Sequence, residues 1–202
     1  MYGAIKSLYK NPRSRIVLTE DYETNYFECR MGVKQGDSLS PTLFAIYVNS
    51  LADTLTGHGA GVNISDNCKI NSLFFADDLV LIALDENNMQ LLLNLVNDWC
   101  SKWRLEVNIL KTNLLHIRKK GQSRALNGLK LGSHLVLYCE EYKYLGLTIN
   151  EFLDMEWTVQ NLYDPACRAL SQILSKSFGG FPPQVLIKLY DSCVASIIDY
   201  GS

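Results

Sequence analysis

The chain has 202 residues, of which 48% are hydrophobic and 20% charged, and its formal net charge is -2 at pH 7. This composition is typical of a soluble globular protein, and the length suits one domain of ordinary size or one core with a small appendage. A membrane or secreted protein is not expected, because no apolar run reaches the roughly 18 residues of a transmembrane helix and the N-terminus lacks a signal-peptide pattern. We therefore expect an intracellular protein without a membrane partner, its nuclear or cytoplasmic residence being left open.

The cysteines and histidines do not suggest a metal or disulfide site. The six cysteines are widely spaced and form no Cys-x-x-Cys pair, and the three histidines are isolated. Such spacing is typical of buried thiols in a reducing compartment. We expect neither a disulfide framework nor a zinc site.

Charge is unevenly distributed along the chain. Residues 37–100 carry one basic side chain, Lys69, against eight acidic ones, whereas residues 101–150 carry nine basic side chains against three acidic ones. The basic segment could neutralise the phosphates of a nucleic acid, each contact adding a salt-dependent increment to binding. Solvated surface charge explains the same pattern about equally well.

Early in the chain, the pattern predicts a hairpin followed by a helix. Residues 13–18 and 25–30 look like two short strands joined by a polar connection. The loop 32–41 ends in a helix-start signal, because Ser40 can act as the N-cap and Pro41 suits the first helical position. The predicted helix ends in a glycine-rich stretch. Its apolar face contains Leu43, Tyr47, Leu51 and Leu55.

Two adjacent carboxylates then interrupt an apolar, strand-like run at 71–83. The apolar segments on both sides predict a tight hairpin with Asp77 and Asp78 at its turn, where neighbouring side chains can converge. Two unit charges about 4 Å apart repel by roughly 4 kcal/mol at an effective dielectric near 20, and burial against Phe74, Phe75 and Leu79 would raise that cost. A divalent cation such as Mg²⁺ or Mn²⁺ would remove it. For this stretch taken alone, a solvated turn is the simpler interpretation, since Asp favours turns.

Beyond this hairpin, the pattern alternates between helix and strand. Apolar residues recur at helical spacing over about 86–103, and this stripe of Leu and Trp is typical of a core. A turn at 108–111 leads into a strand candidate at 113–117, and two further strand candidates occupy 135–138 and 142–149.

The last quarter of the chain has helical character. Apolar residues from Trp157 to Leu174 form one stripe, Gly179-Gly180 ends it, and Pro182-Pro183 starts a second helix. The change of character near residue 150 is the best candidate for a subdomain junction, and it divides the chain into 1–150 and 151–202.

Several stretches resemble, in order, the motifs of reverse transcriptases, and most closely those of non-LTR retrotransposons. Residues 32–44 resemble the template-primer motif, and Phe75-Ala76-Asp77-Asp78 resembles the aromatic-x-Asp-Asp metal box. Residues 103–112 resemble the Asn-x-x-Lys segment, 142–146 the primer-side hairpin, and Tyr200-Gly201 the end of the first thumb region. A lone Asp-Asp is a weak signal, whereas several motifs in the correct order are a strong one.

The resemblance implies an α+β fold: a partial polymerase palm, with an antiparallel sheet backed by helices, followed by a helical thumb. The implied chemistry is nucleotidyl transfer from a deoxynucleotide (dNTP) to the 3′-hydroxyl of a DNA primer, directed by an RNA template. In the full-length parent, two ions of Mg²⁺ or Mn²⁺ would stabilise the attacking and leaving oxygens.

The resemblance also implies roles for single residues near the metal box. Asp77 would be a metal ligand and Asp78 its partner carboxylate beside the primer terminus. Phe75 and Ala76 would pack near the primer end.

Further roles concern the loops that hold the nucleic acid. Gln35 and Gly36 would lie along the template strand and the incoming nucleotide, with the glycine letting the backbone approach closely. Tyr144 and Gly146 would sit in the hairpin that grips the primer. Lys111 could neutralise or protonate the departing pyrophosphate, although a lysine after a turn is more often surface charge.

One part of the family pattern is missing. In the family, another metal-binding aspartate lies on a strand upstream of the Gln-Gly loop; residues 1–10 look like the helix that follows this strand, and Asp21 lies in the turn of the predicted hairpin. We therefore expect the fingers and the first metal-aspartate motif to be absent, the 202-residue chain to be inactive and marginally stable, and an unpaired sheet edge to be available to another protein.

Two other functions are compatible with the sequence. A non-catalytic nucleic-acid-binding module would grip a duplex with the basic region 102–130 and the helices that follow, and its binding would not depend on Asp77. A decayed retroelement remnant would have no selected function, or would use the leftover sheet edge for pairing.

Overall fold

The computed structural model divides into two compact units, Met1–Leu84 and Asp85–Ser202, each described separately below. It describes residues 2–19, 22–29, 32–66, 68–124, 128–177 and 180–200. Asp21, Gly179 and Gly201, which the sequence analysis singled out, lie outside these ranges. Helices and strands are both present, in agreement with the expected mixed class. None of the described helices combines the length and apolar character needed to cross a membrane.

The first unit contains short hairpins and two described helices. In chain order its elements are α1 (Tyr2–Leu8), β1 (Arg13–Ser14), β2 (Val17–Thr19), β3 (Tyr22–Glu23), β4 (Phe27–Glu28), α2 (Ser40–Thr56), β5 (Val62–Ser65), β6 (Cys68–Ile70), β7 (Ser72–Phe75) and β8 (Asp78–Leu81). Antiparallel pairs β1–β4 and β2–β3 confirm the hairpin predicted from 13–18 and 25–30. The hairpin β5–β6 was not predicted.

Helix α2 begins differently from the prediction. The N-cap is Leu39, and Ser40 is the first helical residue. The Ser40 hydroxyl instead donates to the carbonyl of Lys34 at 2.6 Å and is buried there, so it ties down the preceding loop and does not cap the helix. Pro41 lies in the first turn as predicted, where its missing N–H costs nothing. The C-cap is Gly57, as the sequence indicated.

The core of the first unit lies at the C-terminal half of α2. Leu51, Leu55 and Ala60 are buried, and α2 packs against β7. The N-terminal half of the predicted apolar face is more open, since Tyr47 is exposed and Leu43 only half-buried. The best-packed part of this unit is therefore the end of α2 that meets the base of the β7–β8 hairpin.

The second unit begins with a long helix and ends in a helical segment. In chain order its elements are α3 (Glu86–Trp103), a 3₁₀ turn (Ile109–Lys111), β9 (Asn113–Leu115), β10 (Lys130–Leu131), β11 (His134–Leu135), β12 (Leu137–Cys139), β13 (Glu141–Tyr144), β14 (Leu147–Asn150), α4 (Met155–Ser177), α5 (Pro183–Tyr190), a π turn (Asp191–Ala195) and α6 (Ser196–Ile198).

Helix α3 matches the predicted range 86–103. Asp85 caps its start by accepting a hydrogen bond from the backbone N–H of Asn88 at 2.9 Å. The predicted stripe of Leu and Trp is core, because Leu92, Val96 and Trp99 are buried and α3 packs against β10.

The strands pair two by two among the described residues, with six antiparallel pairs and one parallel pair, β9 with β12. The continuous strand that the apolar pattern predicted over 142–149 is wrong, because Leu145 and Gly146 adopt positive φ values of 47° and 91° and turn the chain into the β13–β14 hairpin. A hairpin is what the resemblance implied for 142–146, and the strand pairing bears this out. The strand predicted over 135–138 is interrupted at the buried Val136.

The helical character predicted after residue 150 is confirmed by α4, α5 and α6. Pro183 is the first residue of α5, as the sequence indicated. The predicted junction near 150 falls inside the second unit and stays a prediction.

The expectation that the cysteines are buried thiols is wrong for most of them. All six are free thiols, but only Cys100 is buried, whereas Cys68 and Cys193 are exposed. Burial raises the pKa of the Cys100 thiol, so this side chain acts as a small apolar group of the core.

Candidate active site

The two adjacent carboxylates lie at the tip of the β7–β8 hairpin. Phe75 pairs with Asp78 across the strands, so Ala76 and Asp77 form a two-residue turn. Ala76 has a φ of 50°, in the left-handed region, at the first central position that usually belongs to glycine in a type II′ turn. The sequence prediction of a tight turn with both aspartates at its end is therefore confirmed, and a less favourable backbone conformation accompanies it.

The two carboxylates lie on the surface of the first unit. Both aspartates are exposed, and Phe75 is 59% exposed, while Phe74 and Leu79 are half-buried. Side chains alternate along a strand, so Phe75 points away from the packed face that Phe74 occupies. The exposure of both aspartates agrees with the solvated turn that is the simpler interpretation of this stretch taken alone, and in water-like surroundings a pair of charges about 4 Å apart repels by only about 1 kcal/mol.

The donor set fits a divalent cation in part. Asp77 and Asp78 offer hard carboxylate oxygens, the ligands that Mg²⁺ and Mn²⁺ take in proteins. Among the described residues, no group of three or more His, Cys, Asp or Glu side chains is positioned to hold a metal ion. Mg²⁺ commonly binds through one or two carboxylates and completes its shell with water and substrate phosphates. The hairpin can therefore supply a pair of ligands but not a complete protein cage.

The base of this hairpin is anchored by Asn71, which the sequence analysis missed. Asn71 is 6% exposed, and its side-chain amide donates to the carbonyl of Leu55 in the last turn of α2 at 2.6 Å. Its backbone carbonyl accepts from the N–H of Ile82 at 2.8 Å, which extends the ladder of the hairpin. Its side-chain oxygen also accepts from the Ser72 hydroxyl at 3.0 Å. An amide between apolar Ile70 and Leu73 was the available signal.

A close approach between the backbones at Gly61 and Ile70 adds to the anchoring of the hairpin by Asn71. Gly61 has a φ of 137°, and a Cβ atom at this position would lie 2.6 Å from the carbonyl oxygen of Ile70 and 2.9 Å from the Cβ of Asn71. Only glycine fits here without displacing backbone. The segment entering the hairpin therefore sits tightly against the segment leaving α2.

The Gln35-Gly36 loop precedes the opposite end of α2. Gly36 has a φ of 82° and lies in an exposed turn, in which the Asp37 N–H donates to the carbonyl of Lys34. The Asp37 carboxylate accepts from the backbone N–H of Leu39 at 3.1 Å and from the Tyr9 hydroxyl at 3.3 Å. Gln35 and Gly36 are thus presented on an exposed turn whose ends are held by polar contacts.

Lys111 lies in the second unit at the end of a 3₁₀ turn. The Asn108 side chain accepts from the backbone N–H of Lys111 at 3.3 Å, so the two named positions of the Asn-x-x-Lys segment are linked by a local cap. The Lys111 side chain is exposed. The spacing of these residues thus has a structural cause that the sequence analysis did not identify.

Tyr144 and Gly146 lie in the β13–β14 hairpin. Tyr144 is the last residue of β13 and is half-buried, whereas Gly146 is the second residue of the turn. The ring of Tyr200 covers Gly146, and the Tyr200 hydroxyl donates to the carbonyl of Leu145. Because Tyr200 and Leu145 are 55 positions apart in the chain, no local pattern predicts this contact.

An ion cluster around the buried Glu151 joins the basic segment to the end of this hairpin. Glu151 accepts from Arg118 Nη2 at 2.9 Å and from Arg124 Nη2 at 2.6 Å, and Arg118 also lies over the ring of Phe152 at 4.8 Å. The hydrogen bond from Arg124, together with the charge of Arg118, holds the pKa of the Glu151 carboxyl below its ordinary value.

This cluster changes the interpretation of the basic segment. Lys120 Nζ lies 3.2 Å from Asp154, so at least three of the nine basic side chains of 101–150 are already paired with acidic groups. The segment is therefore less positively charged as a surface than its sequence indicates.

Comparison with known proteins shows the family to which this chain belongs. The family described as reverse transcriptase (RNA-dependent DNA polymerase) matches residues 2–149, which is most of the chain. The chain therefore belongs to the reverse transcriptase family. The mixed helix and strand structure agrees with the palm-type fold that this membership implies.

Individual relatives come from mobile elements. The Pol polyprotein of the type-1 retrotransposable element R2 of Popillia japonica is 49% identical over 59 residues, which cover 29% of this chain and 10% of that protein. The Pol polyprotein of R2DM of Drosophila melanogaster is 32% identical over 136 residues, 63% of this chain and 13% of that protein. The RNA-directed DNA polymerase of the mobile element jockey of Drosophila melanogaster is 23% identical over 168 residues, 80% of this chain and 18% of that protein.

These relatives confirm the resemblance to reverse transcriptases of non-LTR retrotransposons drawn from the sequence. The chain spans between 10 and 18% of the length of the three proteins just described.

Proposed function

We propose that this chain carries palm and thumb portions of an RNA-directed DNA polymerase of a retroelement. Residues 1–150 would belong to the palm and residues 151–202 to a helical thumb-like segment. The observation that carries the proposal is the hairpin tip at which Asp77 and Asp78 stand side by side, on strands that a buried amide ties to α2. Family membership supports RNA-directed DNA synthesis as the reaction class. The proposed partners are an RNA template, a DNA primer and a dNTP.

In the proposed reaction, the primer 3′-hydroxyl attacks the α-phosphate of the dNTP and pyrophosphate leaves. Asp77 and Asp78 would hold Mg²⁺ or Mn²⁺. The parent protein would bind two such ions, which would neutralise the charge on the attacking and leaving oxygens. The exposed tip leaves the carboxylates accessible to a nucleotide, and Phe75 and Ala76 would contact the primer end beside them.

The remaining residues would position the strands. Gln35 and Gly36, on their exposed turn, would lie along the template and the incoming nucleotide, where the absence of a Cβ allows close approach. Tyr144 and Gly146 would grip the primer. Lys111 would neutralise the pyrophosphate or donate a proton to it.

The edges of the hairpin suggest a protein or chain partner. Among the described residues, β7 and β8 pair only with each other, which leaves an open edge on each strand. Such edges can accept a further strand. We propose that one of them pairs with a strand that contributes another carboxylate, because the described residues supply only the Asp77 and Asp78 pair.

The test is primer extension on an RNA template with Mg²⁺ or Mn²⁺, using this chain and a version extended upstream along its locus. We expect extension by the longer protein only, and a loss on the order of 100-fold or more for Asp77→Asn, because the substitution removes a charged metal ligand and losing one electrostatic stabiliser of a transition state has an effect of about that size. The matched control is Asp66→Asn, since Asp66 lies at the turn of the neighbouring β5–β6 hairpin. Full extension by Asp77→Asn would overturn the proposal.

A second candidate is a non-catalytic nucleic-acid-binding module. The observation in its favour is the incomplete set of ligands among the described residues. It predicts that neither length extends primers while both bind primer-template, with equal affinity in wild type and Asp77→Asn.

A further inference from the structure

The turn of the β13–β14 hairpin contains an unfavourable residue. Leu145 and Gly146, with φ values of 47° and 91°, occupy the two central positions, and positive φ at both is the signature of a type I′ turn. This turn favours Asn-Gly, whereas a bulky residue such as leucine adopts positive φ rarely. Other contacts must therefore hold the turn in this conformation.

Tyr200 provides such contacts from a segment distant in sequence. Its hydroxyl donates to the carbonyl of Leu145, the residue in the unfavourable conformation. Its ring lies against Gly146, where a Cβ would be 3.2 Å from Cε1 and 3.5 Å from the hydroxyl oxygen. A Cβ at 146 would require the Tyr200 ring to shift by a few tenths of an ångström, so the glycine allows the ring its close approach.

Tyr200 follows a group of helices that packs against the same hairpin. It follows α6, which packs with α4, and α4 packs against β14. The buried Thr158 of α4 donates to the carbonyl of Thr148 in β14 at 2.6 Å. The helical segment therefore contacts the hairpin along a strand and again at its tip, where Tyr200 makes the contact described above.

We propose that Tyr200 is a positioning residue that locks the β13–β14 turn in the conformation that receives the primer strand. The proposal rests on the proposed function, in which this hairpin contacts the primer. The tyrosine covers one side of Gly146 and fixes the peptide between residues 145 and 146. A nucleotide backbone can then meet a preformed turn, which removes the cost of ordering it on binding.

The first test measures the turn in the free 202-residue chain. Amide hydrogen exchange of peptides covering 144–147 should be about 2- to 12-fold faster in Tyr200→Phe, which keeps the ring and loses one hydrogen bond. Tyr190→Phe, at an exposed tyrosine of α5, is the matched control and should exchange like wild type. Unchanged exchange in Tyr200→Phe would overturn the proposal.

The second test measures primer contact. A primer-template duplex carrying 4-thiothymidine at the primer 3′ end is bound and photo-crosslinked, and its affinity is measured by fluorescence anisotropy. Tyr200→Phe should bind more weakly by about the factor seen in exchange, and crosslinks to 141–150 should fall relative to crosslinks elsewhere.

A rescue variant separates positioning from direct contact. Leu145→Asn creates the Asn-Gly pair that a type I′ turn favours. In the Tyr200→Phe background it should restore both slow exchange and primer affinity. If affinity stays low while exchange is restored, Tyr200 contacts the nucleic acid itself and the positioning role is wrong.

The two proposals fail in different ways. If the wild-type chain binds primer-template but Tyr200→Phe binds it equally well, only the positioning role is overturned. If neither the wild-type chain nor the upstream-extended protein binds primer-template in any condition, the proposed function and the primer role of Tyr200 are both rejected, whatever the exchange result.

Discussion

Asn71 shows how much one residue contributes to the placement of the acidic hairpin. Its amide crosses from the start of β7 to the last turn of α2 and donates to the Leu55 carbonyl, which the His58 N–H also reaches at 3.4 Å. The residue is buried, so the hydrogen bond is protected from competition by water. The position of Asp77 and Asp78 therefore depends on a side chain at the other end of a short strand.

We predict that Asn71→Ala lowers the free energy of unfolding by about 1–1.5 kcal/mol, because a buried hydrogen bond is lost while the Leu55 carbonyl keeps its bond from the His58 N–H. The measurement is urea denaturation followed by circular dichroism. Asn49→Ala is the control, because Asn49 makes an exposed side-chain hydrogen bond to Asp53 on the same helix, and a change within about 0.5 kcal/mol is expected there. Equal effects of the two substitutions would contradict a special role for Asn71.

At the scale of elements, the Glu151 cluster joins three parts of the second unit. The backbone N–H of Arg118 donates to the carbonyl of Glu151 at 2.8 Å, and the Glu151 N–H donates to the carbonyl of Glu140 at 2.9 Å. The side-chain pairs with Arg118 and Arg124 lie on top of these backbone bonds. The basic segment, the start of the β13–β14 hairpin and the approach to α4 are therefore held at one point.

This cluster makes stability depend on pH. Because the pKa of Glu151 is lowered in the folded protein, its contribution is present above the ordinary pKa of about 4.3 and is lost as the pH falls through the folded value. We predict that Glu151→Gln is less stable than wild type at pH 7 and that the difference shrinks below about pH 4.3. Urea denaturation over a pH series measures this.

The comparison variant is Asp154→Asn. The N–H of Glu156 and the charge of Lys120 also lower the pKa of Asp154, but this carboxylate pairs with a lysine that is largely exposed. We expect a smaller difference with the same sign. A stability difference for Glu151→Gln that does not change with pH would assign the effect to packing rather than to charge.

At the scale of the whole molecule, charge pairing determines what the basic segment can offer to a nucleic acid. Nine basic side chains all contacting phosphates would give a slope of log Kobs against log salt near about -8, since each contact contributes about -0.9. At least three of the nine are already paired with Glu151 or Asp154. The contribution of this segment to the slope is therefore expected to be no steeper than about -5.

We predict that Lys119→Gln makes this slope about one unit less steep, because Lys119 is exposed. Lys120→Gln should change it less, since Lys120 already pairs with Asp154. Fluorescence anisotropy with a primer-template duplex over a KCl series measures both. If neither variant alters the slope, this segment does not contact phosphates and the binding surface lies elsewhere.

Local patterns predicted those parts of the chain in which neighbouring residues decide the structure. Helix α3 was predicted over 86–103 because its apolar residues repeat at helical spacing, and the acidic turn was predicted because apolar runs flank it. Where local preference and packing disagree, prediction failed. Ser40 was expected to cap α2, but its hydroxyl is used by the carbonyl of Lys34. Leucine at 145 favours a continued strand, yet the chain turns there.

By itself, the sequence determined the family, the order of its motifs and the two aspartates at a hairpin tip, because these depend on residue identity and short-range spacing. Only the tertiary structure decided that Asn71 anchors the hairpin, that Glu151 takes up two arginines, and that Tyr200 closes the turn at Leu145. These partners are separated by 16 to 55 positions in the chain. Contacts of that kind follow from how packed elements bring distant side chains together, which no local periodicity records.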